Sequence, residues 1–359
     1  MSFIFYLFLH FSKLAYPLLT LAYLLSAGAA SAQSAMFSQY YFSPMNISPA
    51  MLGSPSDLTV GLQHRTQWRN LDNPYLASML SVVKPVATPG APQRQRGGIG
   101  LSVVNESTGA TRLYQSLGVH LGAAYNLDLD QAHTHRFSLG LQGGFTQRRL
   151  NTNQLRWGSQ YDPIVGYSAE IAPSPGSLND RVGFASFAAG IVYYYNPTRE
   201  LLLRRVSGFA GLAVSNINRP FGSFNDGGAR EARILKGHGG IEIPLSPSVR
   251  LLPQVLVAYR STQRYHANVG SYVHYRLSQS PLPSEEALQL MAGAWYRWDD
   301  SWVASAGFSY RRYRLAVSYD FNTQPVAVDA FGGGAFEVSL AYRWLNRQIK
   351  FRNFSTPMI

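Results

Sequence analysis

The sequence contains no cysteine in its 359 residues, and only 14% of its residues are charged. The lack of cysteine excludes a disulfide scaffold, thiol catalysis and zinc–thiolate sites. The low charge is unusual, since soluble domains carry about 25% charged residues. Beyond residue 33 there is no apolar run of about 18 residues, so that part offers no candidate transmembrane helix. Intrinsic disorder is also disfavoured, because 46% of the residues are hydrophobic and can bury a core.

What the chain does have is aromatic residues, glycine and positive charge. It contains 22 Tyr, 19 Phe and 32 Gly, and its formal charge is +12. The basic residues are not concentrated on one helical stretch, so they do not indicate nucleic-acid binding. The pairs Arg148-Arg149, Arg204-Arg205 and Arg311-Arg312 fall at predicted strand ends. Outer-membrane lipid phosphates or charges inside a barrel are therefore the expected partners, with no nucleic acid.

The N-terminus has the pattern of a secretory signal peptide. An apolar stretch from Leu14 to Leu25 follows Lys13, and the small residues Ala30 and Ala32 fit a cleavage site before Gln33. The alternative is an uncleaved anchor helix, since the stretch with its preceding Phe-rich residues is long enough to span a bilayer. Pro17 and the small-residue ending favour cleavage. The expected organisation is a signal peptide at 1–32, a periplasmic segment at 33–56, a barrel at 57–345 and a tail at 346–359.

The hydrophobic pattern after this segment has a period of two. From Leu117 to Leu127 apolar residues alternate with small or polar ones, and the stretch from Phe336 to Trp344 does the same. Strands of about ten residues with one polar face and aromatic ends are typical of outer-membrane barrels. A soluble β-sandwich also alternates, but its strands are nearer 5–6 residues. The candidate strands are 57–66, 74–83, 97–105, 113–127, 135–149, 182–195, 206–217, 232–244, 247–260, 263–277, 287–298, 301–310, 312–321 and 333–345.

These spans predict an all-β fold, an antiparallel transmembrane β-barrel of about 14 strands. Four stretches are expected to be the longer connections: 84–96, 150–181, 218–231 and 322–332. With a periplasmic N-terminus, the segments 67–73, 106–112, 150–181, 218–231 and 322–332 face outward and 84–96 faces the periplasm. The interior is expected to be wet and lined by Arg, His, Asn and Gly. On the last strand this puts Leu340 in lipid and Ser339 in water.

Several short motifs resemble those of the PorP/SprF family, the type IX secretion system membrane proteins of Bacteroidota. The opening at 39–53 is similar to the family's "Q-Y-x-x-N-P-x-x-x-N-P-A-x-x-G", 64–68 to "Y-R-x-Q-W", 98–109 to "G-L-G-x-x-x-x-N-D-x-x-G", 137–144 to "L-S-L-G-L-x-G-G" and 211–220 to "G-x-S-x-x-x-x-x-x-P". Departures occur at Ser43, Ser48, His64, Glu106 and Ala213. The matching motif residues are Gln39, Tyr40, Pro44, Pro49, Ala50, Gly53, Arg65, Gln67, Trp68, Asn105, Gly109 and Pro220.

The resemblance implies a non-enzymatic outer-membrane component of the type IX secretion and gliding motility machinery. Its implied partners are other secretion components, periplasmic or in the outer membrane, and a secreted cargo protein. Two other functions stay open: a diffusion channel or hydrophobic-solute transporter, and a barrel hydrolase. The opening at 37–53 is too interrupted by proline for a strand and too aromatic to remain in water. We therefore expect it to pack into or under the barrel, beside Arg65 and Trp68.

Catalytic, cofactor and metal sites are not predicted. The turn at 127–135 holds His133 and His135 near two aspartates, but a flexible turn without fixed ligand geometry is more often a solvated loop. Asp299-Asp300 lies between tryptophans, which is typical of a tight turn at the membrane interface. The glycines at 332–334 precede a strand and not a helix, so they do not form a phosphate loop.

Overall fold

The computed structural model describes residues 37–69, 74–89, 91–109, 112–152, 155–162, 164–168, 170–171, 179–197, 206–225, 228, 230–260, 264–277, 287–323 and 334–344. The predicted signal peptide at 1–32 and the tail at 346–359 lie outside these residues. Within the described ranges, no helix is long and apolar enough to cross a bilayer.

Fourteen antiparallel strands form a closed barrel, in which every strand pairs with its neighbours in the chain and the last pairs with the first. The closing pair is in register from Leu58 opposite Trp344 to Gln67 opposite Ala335. The strands are β1 Leu58–Gln67, β2 Tyr75–Thr88, β3 Ala91–Thr108, β4 Tyr114–Asp128, β5 His135–Leu150, β6 Arg181–Tyr195, β7 Ser207–Ser215, β8 Ile234–Pro244, β9 Val249–Arg260, β10 Arg264–Arg276, β11 Gln289–Arg297, β12 Ser301–Tyr310, β13 Tyr313–Asn322 and β14 Ala335–Trp344.

The predicted fold class and strand number are confirmed. One predicted connection is wrong, because 84–96 is largely strand: β2 continues to Thr88 and β3 begins at Ala91. The pairing of these two strands is irregular between Val86 and Thr88. Prolines are tolerated next to such bulges, where the ladder of backbone hydrogen bonds is already interrupted.

The connection between β5 and β6 has local structure of its own. It contains a 3-10 turn at Gly158–Gln160 and a short hairpin that pairs Tyr161–Asp162 with Gly166–Tyr167. Asp162 accepts hydrogen bonds from the backbone N–H groups of Ile164 and Val165, at 2.8 and 3.0 Å. The tip of this hairpin therefore holds two exposed aliphatic side chains in a defined turn.

The barrel wall has an apolar outer face. On β4 the side chains of Leu117, Val119 and Leu121 are exposed, whereas Gly118 and Asn126 point inward and are buried. The same alternation repeats along the other long strands. An exposed belt of aliphatic residues on a closed barrel is the surface that a lipid bilayer covers.

Residues 37–57 lie inside the barrel, and we call them the plug. They form a 3-10 turn at Tyr40–Phe42, a short helix α1 at Pro44–Ile47 and a second 3-10 turn at Pro49–Gly53. Proline is the first residue of the last two elements. At this position a backbone N–H would have no acceptor within the element, so its absence costs no hydrogen bond. All plug residues are buried except Phe42 and Asn46, which are half-buried.

The plug changes the expectation of a wet interior. Ser339 is fully buried, and its Oγ lies 3.2 Å from the Gln63 side-chain nitrogen. Gln63 in turn donates to the backbone carbonyl of Gln39 in the plug, at 2.9 Å. The prediction that Ser339 faces water is therefore wrong, because the plug and polar side chains fill that part of the lumen.

Candidate functional site

Two buried carboxylates and two buried guanidinium groups meet around the first residues of the plug. Arg65 Nη2 lies 2.7 Å from Asp320 Oδ2, and Arg65 Nη1 lies 3.5 Å from Glu337 Oε2. Arg297 Nη1 lies 3.1 Å from the same Asp320 oxygen. All four side chains are nearly inaccessible to solvent. We call these four residues the ion-pair cluster.

The barrel register creates this cluster. Arg65 and Glu337 are direct partners across the closing pair of β1 and β14. Asp320 pairs with Ala335 on β14, so it lies one strand away on the same inner face. The two positive and two negative charges balance, which is the condition under which buried charges are tolerated.

The cluster holds the plug through its backbone and through Ser38. Glu337 accepts hydrogen bonds from the backbone N–H groups of Ser38 and Gln39, at 2.7 and 3.0 Å. The Ser38 hydroxyl lies 2.7 Å from Asp320 Oδ1, and it accepts from Arg65 at 2.7 Å and from Arg297 at 2.6 Å. Hydrogen bonds to charged groups are stronger than neutral ones. All four residues of the cluster therefore bind Ser38: Glu337 accepts from its backbone N–H, and the other three contact its hydroxyl.

A second anchor is aromatic and aliphatic. Tyr40 and Tyr41 pack against Tyr194 and Phe209 of the wall, in a buried cluster that also includes Met51. The Tyr41 and Phe209 rings meet edge to face, with centroids 5.9 Å apart. Burial raises the pKa of both plug tyrosines, so both stay neutral. Packing of this kind contributes hydrophobic burial and a specific ring geometry.

A third anchor holds the second 3-10 turn of the plug against β4 and β5. The Asn126 side chain donates to the Gly53 carbonyl at 2.8 Å, and Ser138 Oγ donates to the Ala50 carbonyl at 2.7 Å. Gly140 is required here, because a Cβ at this position would lie 2.1 Å from the Ala50 nitrogen. The space around Gly53 is equally small, since a Cβ at this position would lie 2.1 Å from Asn126 Oδ1.

The structure brings seven of the twelve family-motif residues together at the plug. Arg65 belongs to the ion-pair cluster, and the other six lie within the plug itself: Gln39, Tyr40, Pro44, Pro49, Ala50 and Gly53. Within this group Gln39 Nε2 also contacts Ser318 Oγ at 3.2 Å. All seven residues are buried, within the plug or directly against it.

The remaining five motif residues lie elsewhere, at strand ends and loops. Gln67 ends β1, and Trp68 follows it with a φ of 58° and packs edge to face on Tyr75. Gly109 has a φ of 90° and donates to the Pro74 carbonyl at 3.1 Å. The last two are Asn105, exposed on β3, and Pro220, whose carbonyl accepts from Glu231 N at 2.9 Å.

Sequence reasoning did not single out Ser38, Gln63, Arg297, Asp320 or Glu337 as site residues. A usable signal was present, because Glu337 falls on the polar face of an alternating strand in a chain with only 19 acidic residues. A carboxylate facing a barrel interior needs a cationic partner. The sequence could not identify that partner as Arg65, since the pairing depends on closure of the barrel.

The turn at 127–135 is an internally bonded structure. Asp128 pairs with Arg136 at 2.6 Å and with His133 at 2.8 Å. Asp130 accepts backbone hydrogen bonds from His135 and Thr134, which lower the pKa of its carboxyl group. No three His or acidic side chains in the described ranges are arranged to hold a metal ion. The glycines at 332 and 333 lie outside the described residues.

Comparison with known proteins gives a family match and distant structural similarity. The model of the family "Type IX secretion system membrane protein PorP/SprF" matches residues 29–342. The toluene transporter TbuX of Ralstonia pickettii has 11% identity and a TM-score of 0.48, over 90% of this chain and 96% of that chain. The Pseudomonas putida toluene transporter TodX has 11% identity and a TM-score of 0.45, over 89% and 97% of the two chains. No curated protein matches the sequence.

Proposed function

The chain belongs to the PorP/SprF family of type IX secretion system membrane proteins of the outer membrane, and from this membership we propose how it acts. It is a non-enzymatic component of the secretion machinery that assists the secretion or the surface attachment of cargo proteins. Its partners are other components of the same system, and lipid surrounds its wall. Residues 1–32 are removed on export, and the plug enters the lumen from the periplasmic side.

The plug is the observation that favours this secretion role and disfavours a diffusion channel. An open channel needs a continuous water-filled path, whereas here buried residues from Phe37 to Asp57 fill the lumen between opposite walls. The plug is bonded to the wall by charged groups at Ser38 and by packing at Tyr41. This arrangement favours a barrel that works through its loops and bound proteins.

Deletion of the gene in its native host tests this role. We expect cargo proteins to disappear from the cell surface and medium and to accumulate in the periplasm, as measured by quantitative mass spectrometry of the three fractions. Complementation with the wild-type gene restores the distribution. An unchanged distribution of secreted proteins contradicts the proposal.

A conductance measurement distinguishes the proposed secretion role from a diffusion channel. The purified wild-type protein in planar bilayers is expected to show little ion conductance, because the plug blocks the lumen. A large, stable conductance of the wild-type barrel, together with loss of solute uptake in the deletion strain, supports the diffusion channel instead. Crosslinking from the 151–180 connection in intact cells identifies the protein partner.

A further inference from the structure

Three inward-facing arginines gather at one end of the lumen. Arg250 lies at the start of β9, Arg314 at the start of β13 and Arg343 at the end of β14. Because consecutive strands alternate in direction, this is the end opposite the 151–180 connection. None of these residues takes part in the contacts that hold the plug.

The strand register places the three arginines in one neighbourhood. Arg250 donates to Gln289 Oε1 at 2.7 Å, and Gln289 is the direct partner of Ser309. Ser309 is in turn the partner of Arg314. On the other side Arg314 pairs with Ala341, two residues from Arg343. Arg314 therefore lies between the other two arginines along the inner wall.

The positive charge at this end is incompletely paired. Arg250 makes an ion pair with Glu242 at 3.1 Å. Neither Arg314 nor Arg343 has a described carboxylate within ion-pair distance. The Nε of Arg314 is buried without a hydrogen-bond partner, and so is the Nε2 of His274, which faces Arg250 across β9 and β10. A buried N–H that bonds nothing is costly. The Arg314 Nε–H, and the His274 Nε2 in the tautomer that carries its proton there, can therefore receive an acceptor oxygen.

We propose that this arginine site, formed by Arg250, Arg314, Arg343 and His274, binds a phosphate group. A phosphate monoester or inorganic phosphate carries close to two negative charges and several acceptor oxygens, which suits guanidinium groups that donate in a fork. A single carboxylate supplies one charge and reaches fewer donors. The site does not depend on the proposed secretion role, because it rests on the lumen geometry alone.

Binding is measured on the full chain, purified in a non-ionic detergent with chloride as the only anion. Isothermal titration with inorganic phosphate at constant ionic strength is expected to show saturable binding that sodium chloride does not reproduce. Arg314→Gln is expected to weaken binding about 10-fold or more, since it removes charge-assisted hydrogen bonds. The matched control is Arg181→Gln, an exposed arginine at the other end of the barrel, and it leaves the affinity unchanged. Arg343→Gln is a second test if the first variant does not fold.

Two lipid compositions distinguish a lipid headgroup from a soluble phosphate as the ligand of this site. In nanodiscs of phosphatidylcholine the wild-type protein binds inorganic phosphate, whereas discs containing phosphatidic acid compete if a lipid headgroup reaches the site. Equal binding in both discs assigns the site to a soluble phosphate. Phosphate binding no stronger than chloride binding overturns the proposal. It is equally overturned if Arg314→Gln and Arg343→Gln bind phosphate like the wild type, or if a hexaglutamate peptide binds where phosphate and phosphatidic acid do not.

Discussion

Glu337→Gln tests whether the ion-pair cluster holds the plug in place. Glu337 is fully buried and accepts the N–H groups of Ser38 and Gln39 as well as contacts from Gln63 and Arg65. Glutamine has nearly the same shape but no charge, and its side-chain nitrogen cannot accept. The variant therefore weakens the plug contacts without opening a cavity.

The expected effect follows from the contacts. Removing one partner of a buried ion pair costs about 3–5 kcal/mol. The lower end applies here, because the amide oxygen still accepts one N–H and Asp320 still neutralises Arg65 at 2.7 Å. A loss of about 3 kcal/mol corresponds to roughly a 100-fold shift in the equilibrium between bound and released plug.

Amide hydrogen exchange of the full chain in detergent measures that equilibrium directly. Exchange at Ser38 and Gln39 is expected to accelerate by up to roughly 100-fold, while the strands of the wall keep their protection. Glu242→Gln is the matched control: its carboxylate also pairs with an arginine in the lumen, Arg250 at the start of β9, at 3.1 Å, and it is not part of the ion-pair cluster. Equal exchange of residues 37–57 in the two variants refutes the assigned role of the cluster.

Three further predictions concern the wall, the seat of the plug and the orientation. Leu141→Arg, at a position 70% exposed on β5, is expected to destabilise the barrel in vesicles by about 2–4 kcal/mol, as measured by urea titration. The control Leu129→Arg, beyond the end of β4, is expected to cost about 0–1 kcal/mol. Equal costs contradict the lipid-facing assignment of Leu141. Gly140→Val introduces atoms where the plug backbone lies and is expected to cost about 1–3 kcal/mol despite the strand preference of valine, and a melting temperature at or above that of the wild type rules out this contact. The chain has no cysteine, so a single introduced cysteine can be labelled specifically. Ile164→Cys should react with an impermeant maleimide on intact cells, while Pro247→Cys should react only after the outer membrane is opened. The reverse labelling pattern contradicts the predicted orientation.

The barrel could be predicted from the sequence because its signal is local. Alternation along each strand depends only on which face meets lipid, as at Leu117 and Leu121, and the period of two is visible within ten residues. The error at 84–96 has the same origin. Proline is read locally as a break, whereas the bulge that follows Pro85, after Val86, depends on the pairing of β2 with β3.

The plug contacts could not be predicted residue by residue because they are non-local. The expectation that 37–53 packs against the barrel rests on its aromatic and proline content. This content predicts that the segment is buried, but it does not identify the wall residues that bury it. The two carboxylate partners of Ser38 lie on β13 and β14, at the far end of the chain. The filled space at Ser339 was missed for the same reason, since alternation identifies an inward side chain but not what occupies the interior.

Closure of the barrel and docking of the plug are physically coupled. The Ser38 N–H and the Glu337 carboxylate are separated by 299 positions in the sequence, so their contact forms only when β14 has returned to β1. Arg65 and Glu337 then face each other across the closing pair, and each also contacts Ser38. The plug therefore joins the first and last strands from inside, at the one pairing in the barrel between strands that are not consecutive in the chain. Because forming such a distant contact costs loop-closure entropy, charged groups that bind only in the closed register stabilise the complete barrel over open or shifted ones.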